Sequence, residues 1–264
     1  MRGVGHIRFG IEGALARVTL CHPGRLNAMS RAMWRELADV FRRLQAGPGE
    51  LAGVRAVLVS GEGGHFCAGG DIAEYPDFRF RPEGLRDFHE NDVWGGLSAM
   101  LDCDLPVVAA IEGNCMGAGM EIASCCDIRV AGQGARFGAP IARLGFPMAP
   151  REAQLVAREA GLATAREMLL QAAVLDANTL LQRGFLQAVV DDADVQADAL
   201  ERATRMAGLA PQAARLNKQT LRALCPPEPD AALLAGAYDY ADSAEHREGI
   251  TAFLHKRAPV FGGA

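Results

Sequence analysis

Phe66-Cys67-Ala68-Gly69-Gly70-Asp71-Ile72 and, further along, Gly113-Asn114-Cys115-Met116-Gly117-Ala118-Gly119-Met120-Glu121-Ile122 decide how this sequence is read. Each segment follows a compact apolar run, Val54–Ser60 in the first case and Pro106–Ile111 in the second, and each leads into a stretch of helical character. Such runs bounded by glycines predict buried strands. A strand, a glycine turn and a helix leave backbone N–H groups without intrahelical partners, and small residues let a ligand come close to them. Two such turns placed together would supply the paired donors of an oxyanion hole. Either turn alone reads equally well as a tight connection.

Nearer the start, the segment 7–20 predicts two short strands around a glycine-containing turn. Ser30 stands where an N-cap belongs, with Met33, Trp34, Leu37, Val40, Phe41 and Leu44 at helical spacing before Gly47-Pro48. Residues 93–101 look helical, whereas 128–130 and 135–139 read as strands. Thr164-Ala165-Arg166-Glu167 has the form of a capping box opening a helix. Asp176 opens the next helix, which closes at Gly184, and 186–190 is a strand. From Asp194 the pattern is helical nearly to the end. The expected fold class is α/β, with a core over residues 1–200 that holds the site and a helical region over 201–264.

Composition narrows the function classes. The chain has 264 residues, a net charge of −5 and an apolar fraction of 50%. That length buries a large core without staples, and the charge argues against nucleic acid as the main partner. Neither a phosphate-binding GxxxxGK[ST] nor a serine-hydrolase GxSxG is present, and no GxGxxG opens a first βαβ unit. The seven cysteines are odd in number and form no CxxC, and the adjacent Cys125 and Cys126 fall in an apolar stretch, so neither a disulfide framework nor a metal site is expected. No apolar run suits a signal peptide or a membrane span; the expectation is a cytoplasmic protein with reduced thiols.

Four segments occur in order: His22-Pro23-Gly24-Arg25-Leu26-Asn27-Ala28-Met29, the 66–72 turn, the Gly117–Glu121 turn running to Cys126-Asp127-Ile128, and the ending from Glu245 to Pro259. In order and spacing they resemble the crotonase (enoyl-CoA hydratase/isomerase) superfamily. The resemblance implies a superhelix of ββα units followed by a C-terminal helical region, and a homotrimer or hexamer. It implies an acyl-CoA substrate and no separate cofactor, since coenzyme A is part of that substrate. The backbone N–H groups of Ala68 and Ala118 would form the oxyanion hole. Ala118 stands where the family usually has glycine, which a negative φ accommodates. Arg25, Leu26 and Ala28 would lie along the CoA arm, with Arg25 a phosphate partner. Ala68, Gly69, Gly70, Asp71 and Ile72 would flank its pantetheine and adenine end, and Phe253 and Lys256 would cover the nucleotide.

The family's hydratases use two glutamates to hold and split one water. Glu121 matches the first, in the first turn of a helix, where a carboxylate in the apolar run Met120-Glu121-Ile122-Ala123 needs a role or a partner. The second should follow the proline of Phe137-Gly138-Ala139-Pro140, but that position is Ile141, here read as lining the acyl pocket. Isoleucine moves no proton, which leaves a one-carboxylate scheme with Glu121 as acid and base. Decarboxylation, thioester hydrolysis and acyl-CoA binding with little catalysis stay open. Weaker candidates are His65, Glu74, Tyr75, Glu112, Asp127 and Arg143, the last a possible partner for an acyl carboxylate.

Overall fold

The computed structural model describes residues 3–47, 49–224 and 231–260. Its strands are β1 His6–Glu12, β2 Leu15–Cys21, β3 Ala56–Gly61, β4 Val107–Ile111, β5 Asn114–Met116, β6 Ile128–Gly132, β7 Arg136–Gly138, β8 Val174–Asp176 and β9 Ala188–Val190. One sheet runs β1-β2-β3-β4-β6-β9, and a smaller one runs β5-β7-β8. The β1–β2 pair is an antiparallel hairpin around Gly13, and every later pair of the large sheet is parallel. All five residues of β4 are buried, as expected of a parallel strand covered on both faces. After β4 and after β6 the chain turns from the large sheet into the small one, giving successive β4-β5 and β6-β7 units.

The helices are α1 Arg31–Ala46, α2 Pro82–Asp87, α3 Trp94–Asp102, α4 Ala118–Ser124, α5 Pro150–Ala160, α6 Leu162–Leu170, α7 Ala177–Gln182, α8 Val195–Ala207, α9 Pro211–Ala223, α10 Ala231–Ala235 and α11 Ala244–Leu254. α1 forms as its spacing predicts. Ser30 accepts a hydrogen bond from Met33 N, Gly47 closes the helix in the left-handed region at φ 60°, and the predicted apolar face is buried. α8 lays Val195, Ala199, Ala203 and Ala207 on the sheet beside Leu58, Val108, Ala110 and Val130. α9 is tethered by polar contacts: Lys218 donates to Leu105 O and to Asp127, which also accepts from Val107 N. Asp127 is thus an anchor between the end of α4 and the large sheet. No helix among the described residues is long and apolar enough to cross a membrane.

One local reading is corrected, and two features of the fold were not predicted from the sequence. The box at Thr164 opens nothing, because α6 has begun at Leu162 after a break at Gly161, which sits at φ 85°. Thr164 is buried inside that helix, and Glu167 pairs with Arg183 instead of reaching back. β5 and β8, three residues each, are too short to carry an alternation and were not foreseen. Between α2 and α3 the chain makes a π-helical turn over Phe88–Val93, which turns Phe88, His89 and Asp92 inward.

The end of the chain returns to the site. α11 packs against the 3₁₀ turn Ile141–Leu144 so closely that a methyl group on Gly249 would lie 2.2 Å from Leu144 C and O. Only glycine permits that approach. It brings His246 inside and leaves Phe253 half exposed at the mouth of a cavity.

Candidate active site

The two glycine turns meet. Cys67 pairs with Cys115 and Gly70 with Met29 through isolated parallel bridges, and a methyl on Gly117 would sit 3.6 Å from Gly69 Cα. Asn27 ties the first motif to them. Buried at φ 60°, it accepts from His22 N at 3.0 Å and donates to Glu62 O and His65 O at 2.8 and 2.7 Å. Asparagine tolerates the left-handed region better than most residues.

The backbone inventory shifts one expected donor. Ala68 N–H is spent on Leu26 O at 3.0 Å, so it is closed to a ligand. In the bridge to Met29, the flanking Gly69 O and Asp71 N face Met29 and leave the N–H of Gly70 on the opposite side. Among the described residues neither Gly70 N–H nor Ala118 N–H has an acceptor in the protein. Ala118 opens α4 without a positive φ, so its side chain brings no strain. The free donor of the first turn is therefore two residues beyond Ala68. Gly70 is held to glycine by Tyr75, whose hydroxyl would lie 2.1 Å from an added Cβ.

Both donors border a cavity of about 430 Å³, whose walls include Ala68, Gly69, Tyr75, Phe88, Ile141, Phe146 and Met148. Glu121 also lines it. Burial pushes its carboxyl up to about 8; the nearby charge of Glu152 raises it further and Arg79 opposes the shift. Unspent backbone donors beside a carboxyl whose pKa lies near neutrality form an arrangement suited to moving a proton next to a developing oxyanion.

The enoyl-CoA hydratase/isomerase family model matches residues 10–264. The chain belongs to the enoyl-CoA hydratase/isomerase family. A probable enoyl-CoA hydratase of Rhodobacter capsulatus is 32% identical, over 97% of this chain and 98% of its own. The short-chain-enoyl-CoA hydratase of Clostridium acetobutylicum is 30% identical over 93% of each. Among solved structures, an enoyl-CoA hydratase/carnithine racemase of Magnetospirillum magneticum superposes with a TM-score of 0.80 at 35% identity, covering 100% of this chain and 97% of that one. The fold is thus the crotonase fold, and the protein is an enzyme of this family.

Within this family member the expected site residues are distributed as follows. Arg25, Ala28, Ala68, Gly69, Gly70, Asp71, Ile72, Ala118, Ile141 and Phe253 all border the cavity. Lys256 lies in an adjoining groove shared with Arg25 and Phe253. Leu26 borders neither; it is bent to φ 48° and contributes its carbonyl to Ala68. Arg25 is not a free cation, because its Nη1 is 3.0 Å from Asp71 Oδ1. Ile141 presents an apolar side chain to the cavity.

The weaker candidates divide. Tyr75 is a cavity wall, and Arg143 reaches the cavity while donating to Ala172 O at 3.1 Å. His65 accepts from Asn114 N, Glu74 accepts from Arg31 N at the start of α1, and Glu112 accepts from Gln196; none of the three borders the cavity.

A buried polar network behind the cavity was not foreseen. Arg79 donates to His246 Nε2 at 3.4 Å, His89 Nε2 at 3.5 Å and Tyr240 Oη at 3.2 Å. Arginine only donates, so both imidazoles must offer lone pairs at Nε2. Their Nδ1 atoms then carry the protons, directed at Glu152 Oε1 (2.9 Å) from His89 and at Ala241 O (2.8 Å) from His246. Burial lowers both pKa values, that of His246 to about 4, which keeps the rings neutral at physiological pH. The one hint in the sequence is an arginine between two phenylalanines, Phe78-Arg79-Phe80, a pattern equally common on surfaces.

Proposed function

We propose that this enzyme binds an acyl-CoA thioester with its carbonyl oxygen on the N–H groups of Gly70 and Ala118, and that Glu121 transfers the proton that forms or quenches the resulting enolate. The observation that carries this reading is the sharing of one cavity by two unspent backbone donors and a carboxyl raised to about 8. The groove bordered by Pro23, Gly24, Arg25, Phe253 and Lys256 adjoins the cavity and suits the nucleotide end of CoA. Preorganised amides gain most from charge that develops during reaction, because they need no reorientation.

Ile141 removes the second carboxylate that would activate water alongside Glu121. The reaction favoured is therefore proton transfer through an enolate, as in shifting a double bond, with two-carboxylate hydration disfavoured. A panel of 2-enoyl-, 3-enoyl-, 3-hydroxyacyl- and malonyl-type CoA thioesters tests this, with products resolved by chromatography. The expected result is interconversion of 3-enoyl and 2-enoyl thioesters faster than hydration. Loss of CO2 from a malonyl-type thioester as the fastest reaction, or release of free CoA, would replace this reading with decarboxylation or hydrolysis. Tight binding with no product from any of them would leave an acyl-CoA-binding protein.

A further inference from the structure

Arg79 has the wrong environment for a structural ion pair. It is 1% exposed, yet among the described residues no carboxylate oxygen lies within 4.0 Å of it, whereas the other deeply buried arginine, Arg129, pairs with Glu159. Its guanidinium carbon lies 4.3 Å from the centroid of the Tyr75 ring and 4.1 Å from that of Phe146, two rings packed edge to face at 69°. In its plane it meets only uncharged acceptors, two imidazoles and a phenol. A guanidinium has five N–H bonds, and these contacts use three. Glu152 reaches it only through His89, and Glu121, on the same cavity wall, is mostly neutral at pH 7. A buried charge without a contacting anion is costly, and here two aromatic rings and two tautomer-locked histidines hold it in a fixed orientation. That is the construction of a receptor awaiting an anion.

Its position indicates what the anion is attached to. Arg25 and Phe253 border both the cavity and the outer groove and so mark the mouth, while the buried Arg79 borders the cavity alone. A thioester seated on Gly70 and Ala118 would direct its acyl chain past Glu121 toward this cation. Resting on the acyl-CoA reading above, we infer that Arg79 receives a carboxylate carried on the acyl group, so that the enzyme selects acidic acyl-CoA thioesters over alkyl ones. The cavity's remaining walls, Tyr75, Phe88, Phe146 and Met148, match the methylene chain between the two ends. Arg143, the sequence's candidate for this role, lies outside the buried network and is engaged by Ala172 O.

The test is equilibrium binding, which needs no turnover. Succinyl-, glutaryl- and adipyl-CoA are compared with butyryl-, valeryl- and hexanoyl-CoA by titration calorimetry on the wild-type protein, then on Arg79→Met and Arg79→Gln. The expected result is at least a tenfold tighter Kd for one acidic thioester than for its alkyl counterpart. Either variant should abolish that preference while leaving alkyl affinity within a few-fold. A purely structural Arg79 would weaken both classes alike. Equal or tighter binding of the alkyl thioesters by the wild type overturns the inference even if no variant folds, while leaving the acyl-CoA reading intact. Failure to bind any of the six overturns both.

Discussion

Glu121→Gln is expected to lower kcat about a thousandfold while leaving KM within a few-fold. The substitution keeps size and one hydrogen-bonding oxygen but removes the transferable proton, and a positioned acid or base contributes on the order of 10² to 10⁴ in rate. The pH profile gives the second signature. Burial holds the carboxyl near 8, so below that pH the free enzyme is mostly in its neutral form. Abstraction of a substrate proton needs the carboxylate, hence kcat/KM of the wild type should rise with pH to a plateau with its midpoint near 8. The residual rate of Glu121→Gln should lack that midpoint.

Stability should move the other way. The folded-state pKa lies above the ordinary value of 4.5, so the contribution is full below 4.5 and lost as pH rises through about 8. Glutamine has no such loss. The melting temperature of Glu121→Gln relative to wild type should therefore climb across that window, by the equivalent of a few kcal/mol at most. A variant that loses activity while gaining stability at alkaline pH is hard to explain by damage to the fold.

Ala118→Pro is expected to cost at least a hundredfold in kcat with little loss of stability. Ala118 is the first residue of α4, the helical position at which proline is best tolerated, because its N–H has no intrahelical partner. Gly117 before it has the freedom that a residue preceding proline requires. The change deletes one of the two donors, and loss of a single oxyanion donor is typically worth 10² to 10³ in rate. Thermal unfolding and kcat, measured together, check it. A melting point within a few degrees of wild type and a collapsed kcat are expected; unchanged turnover would remove Ala118 N–H from the mechanism.

Much of this site could be read before the structure, and the parts that could not share a cause. The turns, Glu121 and the isoleucine at 141 are local facts of sequence: glycines after apolar runs, a carboxylate in a helix's first turn, an aliphatic residue after a proline. The donor in the first turn is a long-range fact. Whether Ala68 or Gly70 keeps a free N–H depends on Leu26 O, supplied by a loop far away in sequence. Arg79 is hidden for the same reason. Its role is set by His89 on a π-helical turn, Glu152 on α5 and His246 on α11, and no spacing in the chain links those three. The misread box at Thr164 is a competition between two signals, in which the break at Gly161 overrides the capping pattern.

If Glu121 moves a proton at the carbon next to a thioester carbonyl held by Gly70 and Ala118, the enzyme exchanges the C2 hydrogens of a saturated acyl-CoA in D2O, which proton NMR follows, with the acyl group chosen as the tightest binder. Loss of the C2 signal is expected with wild-type enzyme, accelerating with pH toward 8, and no enzyme-dependent exchange with Glu121→Gln. Exchange at the wild-type rate in Glu121→Gln, or none in a wild type that demonstrably binds the thioester, would contradict that role of Glu121.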